Sequence, residues 1–166
     1  MTQRWPNGRV VRDADGLELI VERAIVAPIS EVWSWLTEST HLEKWIGSWE
    51  GEPGVGRTIQ FTMTAEGATQ PEPAEILICD PNVHFLADVG ATPWRLGFTL
   101  AELAGTTVIF FTQRLANAAD AGSIGPGWEF YLDRMICARE GLPLPPWEEY
   151  YPALEPYYSR VAASAS

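Results

Sequence analysis

The chain reads as an α+β protein: an antiparallel sheet of about six strands, two short helices after the first strand, and one longer helix near the end. Three observations predict this. Several segments alternate apolar and polar side chains with the period of a half-buried strand. The connections between consecutive strands are short enough for hairpins, which makes the sheet an antiparallel meander. Near the end, Trp128, Tyr131, Leu132 and Met135 stand at i, i+3, i+4 and i+7, the apolar stripe of a helix.

Leu17, Leu19, Val21 and Ile25 share one side of the first strand, with Glu18 and Glu22 on the other. Pro28 suits the first turn of a helix, where its missing N–H is not needed, and Val32, Trp33 and Leu36 give that helix an apolar side. Thr40 with Glu43 three residues on has capping-box spacing and predicts a second short helix through Leu42, Trp45 and Ile46, ending at Gly47. GSWEGEPGVG, with four glycines and Pro53, reads as an irregular connection. From Arg57 the pattern returns to period two, with Ile59, Phe61 and Met63 opposite Thr58, Gln60 and Thr62. Four further strands are predicted at Ala74 to Cys79, Val83 to Val89, Trp94 to Leu103 and Thr106 to Leu115. Gly125-Pro126-Gly127 then resets the chain before the Trp128 helix, which Gly141 and Pro143 should stop.

Residues 1–16 read as an N-terminal extension, 17–141 as the domain and 142–166 as a tail rich in proline and aromatics. That tail carries Pro143, Pro145, Pro146, Pro152 and Pro156 among Trp147, Tyr150, Tyr151, Tyr157 and Tyr158. It has too much proline for one helix and too many aromatics for a typical disordered segment, so it should lie across the body of the protein or a neighbouring subunit.

Composition narrows the function. With 46% apolar and 20% charged residues, the 166-residue chain is an ordinary globular protein able to bury a sizeable core. No apolar run is long enough to span a membrane, and the polar first residues lack the pattern of a secretory signal, so a cytoplasmic location is expected. A net charge of -11 repels phosphate backbones, which argues against nucleic acid as a partner. Cys79 and Cys137 have neither disulfide-framework nor zinc spacing, and no metal or cofactor motif occurs, so no metal and no cofactor is expected.

Catalytic signals are sparse. The sequence has no nucleophile elbow, zinc-protease pair or nucleotide loop, and GEPGVG leads into a strand without the Lys-Ser/Thr of a phosphate loop. His41 and His84 read as structural or surface histidines, and Arg57, Glu129 and Asp133 as solvated flanks. This leans away from an enzyme.

Four stretches together resemble one family. APISEVWSWLTESTHLEKWIG, GEPGVGRTIQFTM, EILICDPNVHFLADVG and GPGWEFYLDRM are similar to segments of the activator-of-heat-shock-protein-ATPase homologues, of the START and polyketide-cyclase superfamily. The likeness runs from about residue 17 to 141, and the Pro/Tyr tail departs from it. The resemblance implies a helix-grip fold, in which a curved sheet wraps the last helix and leaves an apolar cavity. Placed on that frame, the alternation nominates Trp45, Ile59, Phe61, Met63, Phe85, Trp94, Phe98, Phe110, Trp128, Tyr131, Leu132 and Met135 as ligand-binding. A small hydrophobic molecule is the expected partner. A cyclase- or hydrolase-type enzyme using the same cavity and a chaperone-ATPase-associated protein are the alternatives. Ile109 and Phe111, assigned to the face opposite Phe110, would make an apolar patch compatible with a homodimer.

Overall fold

The computed structural model describes residues 6–91 and 94–165. Eight strands form, β1 (Arg9–Asp13), β2 (Gly16–Ile25), β3 (Ser48–Glu50), β4 (Thr58–Thr62), β5 (Glu72–Asp80), β6 (His84–Val89), β7 (Trp94–Leu103) and β8 (Thr106–Leu115). They make one sheet in the order β1-β2-β8-β7-β6-β5-β4-β3, every pairing antiparallel. Two short helices, α1 (Ile29–Thr37) and α2 (Ser39–Leu42), follow β2; α3 (Ala121–Glu140) follows β8; α4 (Glu155–Ala163) lies near the end. This is the helix-grip arrangement. Its gripped helix has 20 residues and so spans about 30 Å.

Because antiparallel partners share a face of the sheet, register shows which side chains meet the helix. One row across the concave face runs Val21, Phe111, Phe98, Phe85 and Cys79; a second runs Leu19, Gln113, Leu96, Ala87 and Ile76. A third links Trp94, Val89, Ala74 and Ile59. Val21, Phe111, Phe98 and Leu19 join Leu132 and Met135 of α3 in the main core, while Ile59, Ala74 and Ile76 form a second, smaller cluster.

Several expectations are corrected. The sheet has eight strands where about six were expected, because β1 and β3 are edge strands of five and three residues, too short to show a period. β1 lies within residues 9–13, in the stretch read as an extension, and pairs with β2. The second helix has Glu38, not Thr40, at its N-cap. Gly125-Pro126-Gly127 does not precede the long helix but lies inside α3, which begins at Ala121. The stop that matters is upstream, where the Asn117 N–H donates to Asp120 Oδ2 (3.3 Å) at the entry to the helix.

On β8, Phe110 pairs with Glu22 and Thr99 and faces outward, whereas Phe111 pairs with Val21 and Phe98 and faces inward. Phe110 is therefore not an inward residue, and Ile109 and Phe111 form no exposed patch; they are buried. With Val108, Ile109, Phe110 and Phe111 all apolar, alternation alone cannot phase this strand. Among the described residues, no helix is long and apolar enough to cross a membrane.

The tail continues past Gly141 into a short 3-10 turn at Trp147–Glu149 and then α4, which packs against α3 and β1. Tyr158 is fully buried there, between Gly8 and Gly125. A Cβ on Gly125 would stand 2.3 Å from the Tyr158 ring, so only glycine permits this approach.

Candidate functional site

Between sheet and helix lies a cavity of about 1240 Å³. This is at or above the size of most small-molecule sites, which run ~300 to 1,000 Å³. β4 to β8 supply the floor, including Ile59, Phe61, Ile76, Phe85, Phe98 and Phe111, and the N-terminal part of α3 the wall, with Ile124, Trp128, Phe130 and Tyr131. Trp33, Leu42, Trp45 and Ile46 of the α1–α2 region and Trp49 of β3 cover another side, and Trp147 reaches it from the tail.

Of the residues nominated from the sequence, Trp45, Ile59, Phe61, Met63, Phe85, Trp94, Phe98, Trp128 and Tyr131 border this cavity. Phe110, Leu132 and Met135 do not. Phe110 is on the outer face, and Leu132 and Met135 are both 0% exposed in the core, where the later turns of α3 pack on β2. The helical stripe is continuous, but the helix leaves the cavity after Tyr131, so its later residues become core. Met63 lies just beyond β4 and borders the cavity from the following turn. Trp94 is 52% exposed and stands at the opening.

The aromatic lining is held by specific contacts. Phe111 and Trp128 have ring centroids 4.0 Å apart, Trp33 meets Phe98 edge-on at 5.5 Å, and Phe130 meets Trp147 edge-on at 5.2 Å. Three of the lining indole N–H groups are bonded within the protein: Trp45 donates to the Trp35 carbonyl (3.1 Å), Trp49 to the Thr37 carbonyl (2.8 Å) and Trp128 to Gln113 Oε1 (2.6 Å). With those donors already engaged, these three rings offer the cavity chiefly their faces.

The principal polar feature is a pair that sequence periodicity did not single out, because Glu66 sits in an irregular turn. The Tyr131 hydroxyl donates to Glu66 Oε1 at 2.7 Å. Burial first, then the hydrogen bond and charge of Glu66, push the Tyr131 phenol well above its ordinary value, so it remains a protonated donor at neutral pH. Glu38, Glu72 and the Cys79 thiol also border the cavity. His41 lies outside it, bonded to Ser34 and stacked on Trp35 at 4.4 Å. His84 neighbours Phe85 on the strand and therefore points to the opposite face.

Glu129 and Asp133, expected to be solvated, are buried instead, on the far side of α3. Arg23, which shares the inward parity of Val21 and Ile25, donates to Asp133 Oδ1 through Nε (2.8 Å) and pairs with Glu129. Tyr150 donates to Asp133 Oδ2 (2.7 Å), and Tyr158 and the Asn7 N–H (3.0 Å) donate to Glu129 Oε1. Burial alone would lower the Arg23 guanidinium, but the two carboxylates hold it above its ordinary value. Arg57, by contrast, is exposed and meets Glu52 at 3.3 Å.

The profile of the Activator of Hsp90 ATPase homolog 1-like protein family matches residues 26–136. No curated protein matches the chain in sequence. Among solved structures, CalU16 from Micromonospora echinospora is 19% identical in its crystal form, with 96% of each chain covered and a TM-score of 0.71. Its solution structure gives 17% identity, 99% of this chain and 100% of that one, and a TM-score of 0.76. A protein from Bordetella parapertussis is 23% identical over 98% of this chain and 94% of its own, with a TM-score of 0.68. DynU16, a protein in the dynemicin biosynthetic locus, is 18% identical over 81% of this chain and 50% of its own, with a TM-score of 0.65. At these identities the likeness is one of fold.

Proposed function

Since the chain belongs to the Activator of Hsp90 ATPase homolog 1-like family, and fold alone does not fix function, we propose from its cavity that it binds a small, largely apolar molecule between sheet and α3. The observation that carries this reading is the wall itself: a large open space faced by aromatic rings, with the indole N–H groups of Trp45, Trp49 and Trp128 spent on hydrogen bonds within the protein. Apolar surface in contact with water in such a space is costly, and an apolar guest of the right size would remove it.

The site supplies its own reporter, because Trp33, Trp45, Trp49, Trp94, Trp128 and Trp147 all border the cavity. Titration with a panel of apolar aromatic molecules should change tryptophan fluorescence saturably and raise the melting temperature with ligand concentration, as binding to the folded state requires. Ala87→Phe, which projects a ring from the β6 floor into the space, should abolish the fluorescence response while the protein still unfolds cooperatively. A response that survives Ala87→Phe undiminished would place the guest elsewhere and refute the assignment.

A further inference from the structure

The charges around the opening carry the cavity reading one step further, to the class of guest. Among the described residues that border the cavity, the ionisable charges are all carboxylates, Glu38, Glu66 and Glu72, and no Lys, Arg or His takes part in the lining. The nearby cation on α3, Arg134, is not itself part of the lining but adjoins two residues that are: its Nε donates to the Trp45 carbonyl at 2.9 Å and its guanidinium lies 5.4 Å from the centre of the Phe130 ring, so its one charge offsets only part of the field of the three carboxylates. The Tyr131 hydroxyl keeps its proton and directs it at Glu66 Oε1, so at that point the pair offers a guest acceptor oxygens.

We propose that the cavity selects its guest by charge, admitting neutral and amine-bearing aromatic molecules and rejecting carboxylates and phosphates of the same shape. The inference rests on the cavity-binding reading and narrows it. Two physical effects act in the same direction. Aromatic faces attract ammonium groups through the ring quadrupole and gain nothing comparable from anions. Carboxylates at the opening, in a molecule of net charge -11, attract an approaching cation and repel an anion. Glu66 is itself exposed, so its part of the effect is screened by salt.

The test uses three probes on one scaffold: 9-(methylaminomethyl)anthracene, 9-anthracenemethanol and 9-anthracenecarboxylate, each titrated by tryptophan quenching. At low ionic strength the ammonium should bind at least about tenfold more tightly than the carboxylate, with the alcohol between them. Raising salt from about 10 mM to about 0.5 M should shrink that spread, because the screening length falls to a few ångströms. Glu66→Gln should lower the preference for ammonium over carboxylate several-fold, while Glu75→Gln, on the outer face of β5, should leave it unchanged. A carboxylate that binds as tightly as the ammonium overturns charge selection and leaves the cavity reading standing. If none of the three binds, the cavity reading falls and charge selection with it.

Discussion

Arg23 occupies a position on β2 that alternation assigns to the core, between Val21 and Ile25, and its guanidinium is satisfied there by Glu129 and Asp133 of α3. Removing one partner of a buried ion pair leaves an uncompensated charge, which costs far more than the pair contributes. Arg23→Met should therefore destabilise the protein by about 3 to 5 kcal/mol in urea unfolding. A loss below about 1 kcal/mol, the scale of a surface pair, would mean the carboxylates are effectively hydrated. Tyrosines give a second residue-level expectation. Burial, together with the neighbouring Glu129, raises the Tyr157 and Tyr158 phenols above their ordinary value, as burial and Glu66 do for Tyr131. Each keeps its proton to higher pH when folded than when unfolded. The stability they contribute is complete below about pH 10, the unfolded phenol value, and is lost as pH rises above it. Urea midpoints at pH 8, 9, 10 and 11 should hold and then fall, with phenolate absorbance appearing on unfolding; a midpoint that rises above pH 10 would contradict the sign. At this scale the sequence was a partial guide. It exposed Phe61, Phe85, Phe98 and Trp128 as lining candidates, because a large ring on a regular strand or helix has a definite face. It could not expose Glu66, Phe130 or Trp147, whose positions depend on a turn, on the flank of α3 and on a tail with no period.

α3 shows why element boundaries were harder to read than elements. Its stripe from Trp128 was plain, and β7 and β8 fall at the bounds their alternation predicts. Gly125-Pro126-Gly127, however, looks like a break only while the rest of the molecule is unknown. Pro126 lies in the second turn, where its missing N–H removes a single helical bond, and Gly125 is the spot where α4 brings Tyr158 against the backbone. The glycine thus answers to a tertiary contact that no local pattern records. Gly125→Ala is the corresponding test. Alanine favours an isolated helix over glycine by about 1 kcal/mol, so helix propensity predicts stabilisation. The Tyr158 ring, fully buried and 2.3 Å from the added Cβ, predicts the opposite, since overpacking costs about 1 to 3 kcal/mol and here also disturbs the Glu129 hydrogen bond. Thermal unfolding should show a net loss. Pairing Gly125→Ala with Tyr158→Leu should recover part of the loss, because the clashing ring is then gone; an unrelieved loss would place the strain elsewhere.

Across the whole molecule, the tail joins both halves of the design. Tyr150 and Tyr158 close the hydrogen bonds of Asp133 and Glu129 on one side of α3, while Trp147 packs edge-on against Phe130 and borders the cavity on the other. Folding of the tail and integrity of the cavity should therefore be coupled through one helix. Deleting residues 142–166 takes two hydroxyl donors from buried carboxylates, each such bond contributing about 1.5 to 3 kcal/mol. At roughly 2 to 4 °C per kcal/mol for a chain of this length, the melting temperature should fall by about 10 °C or more. Tyr150→Phe with Tyr158→Phe keeps the rings and removes only the hydroxyls, so it isolates the polar part of that loss. The same truncation removes Trp147 from the cavity wall, and binding of a neutral aromatic probe should weaken several-fold even at temperatures where the truncated protein remains folded. The double Phe variant, with Trp147 in place, should lose stability yet retain most of that binding. If truncation weakens binding no more than the hydroxyl deletions do, Trp147 is a bystander and the cavity is complete without the tail.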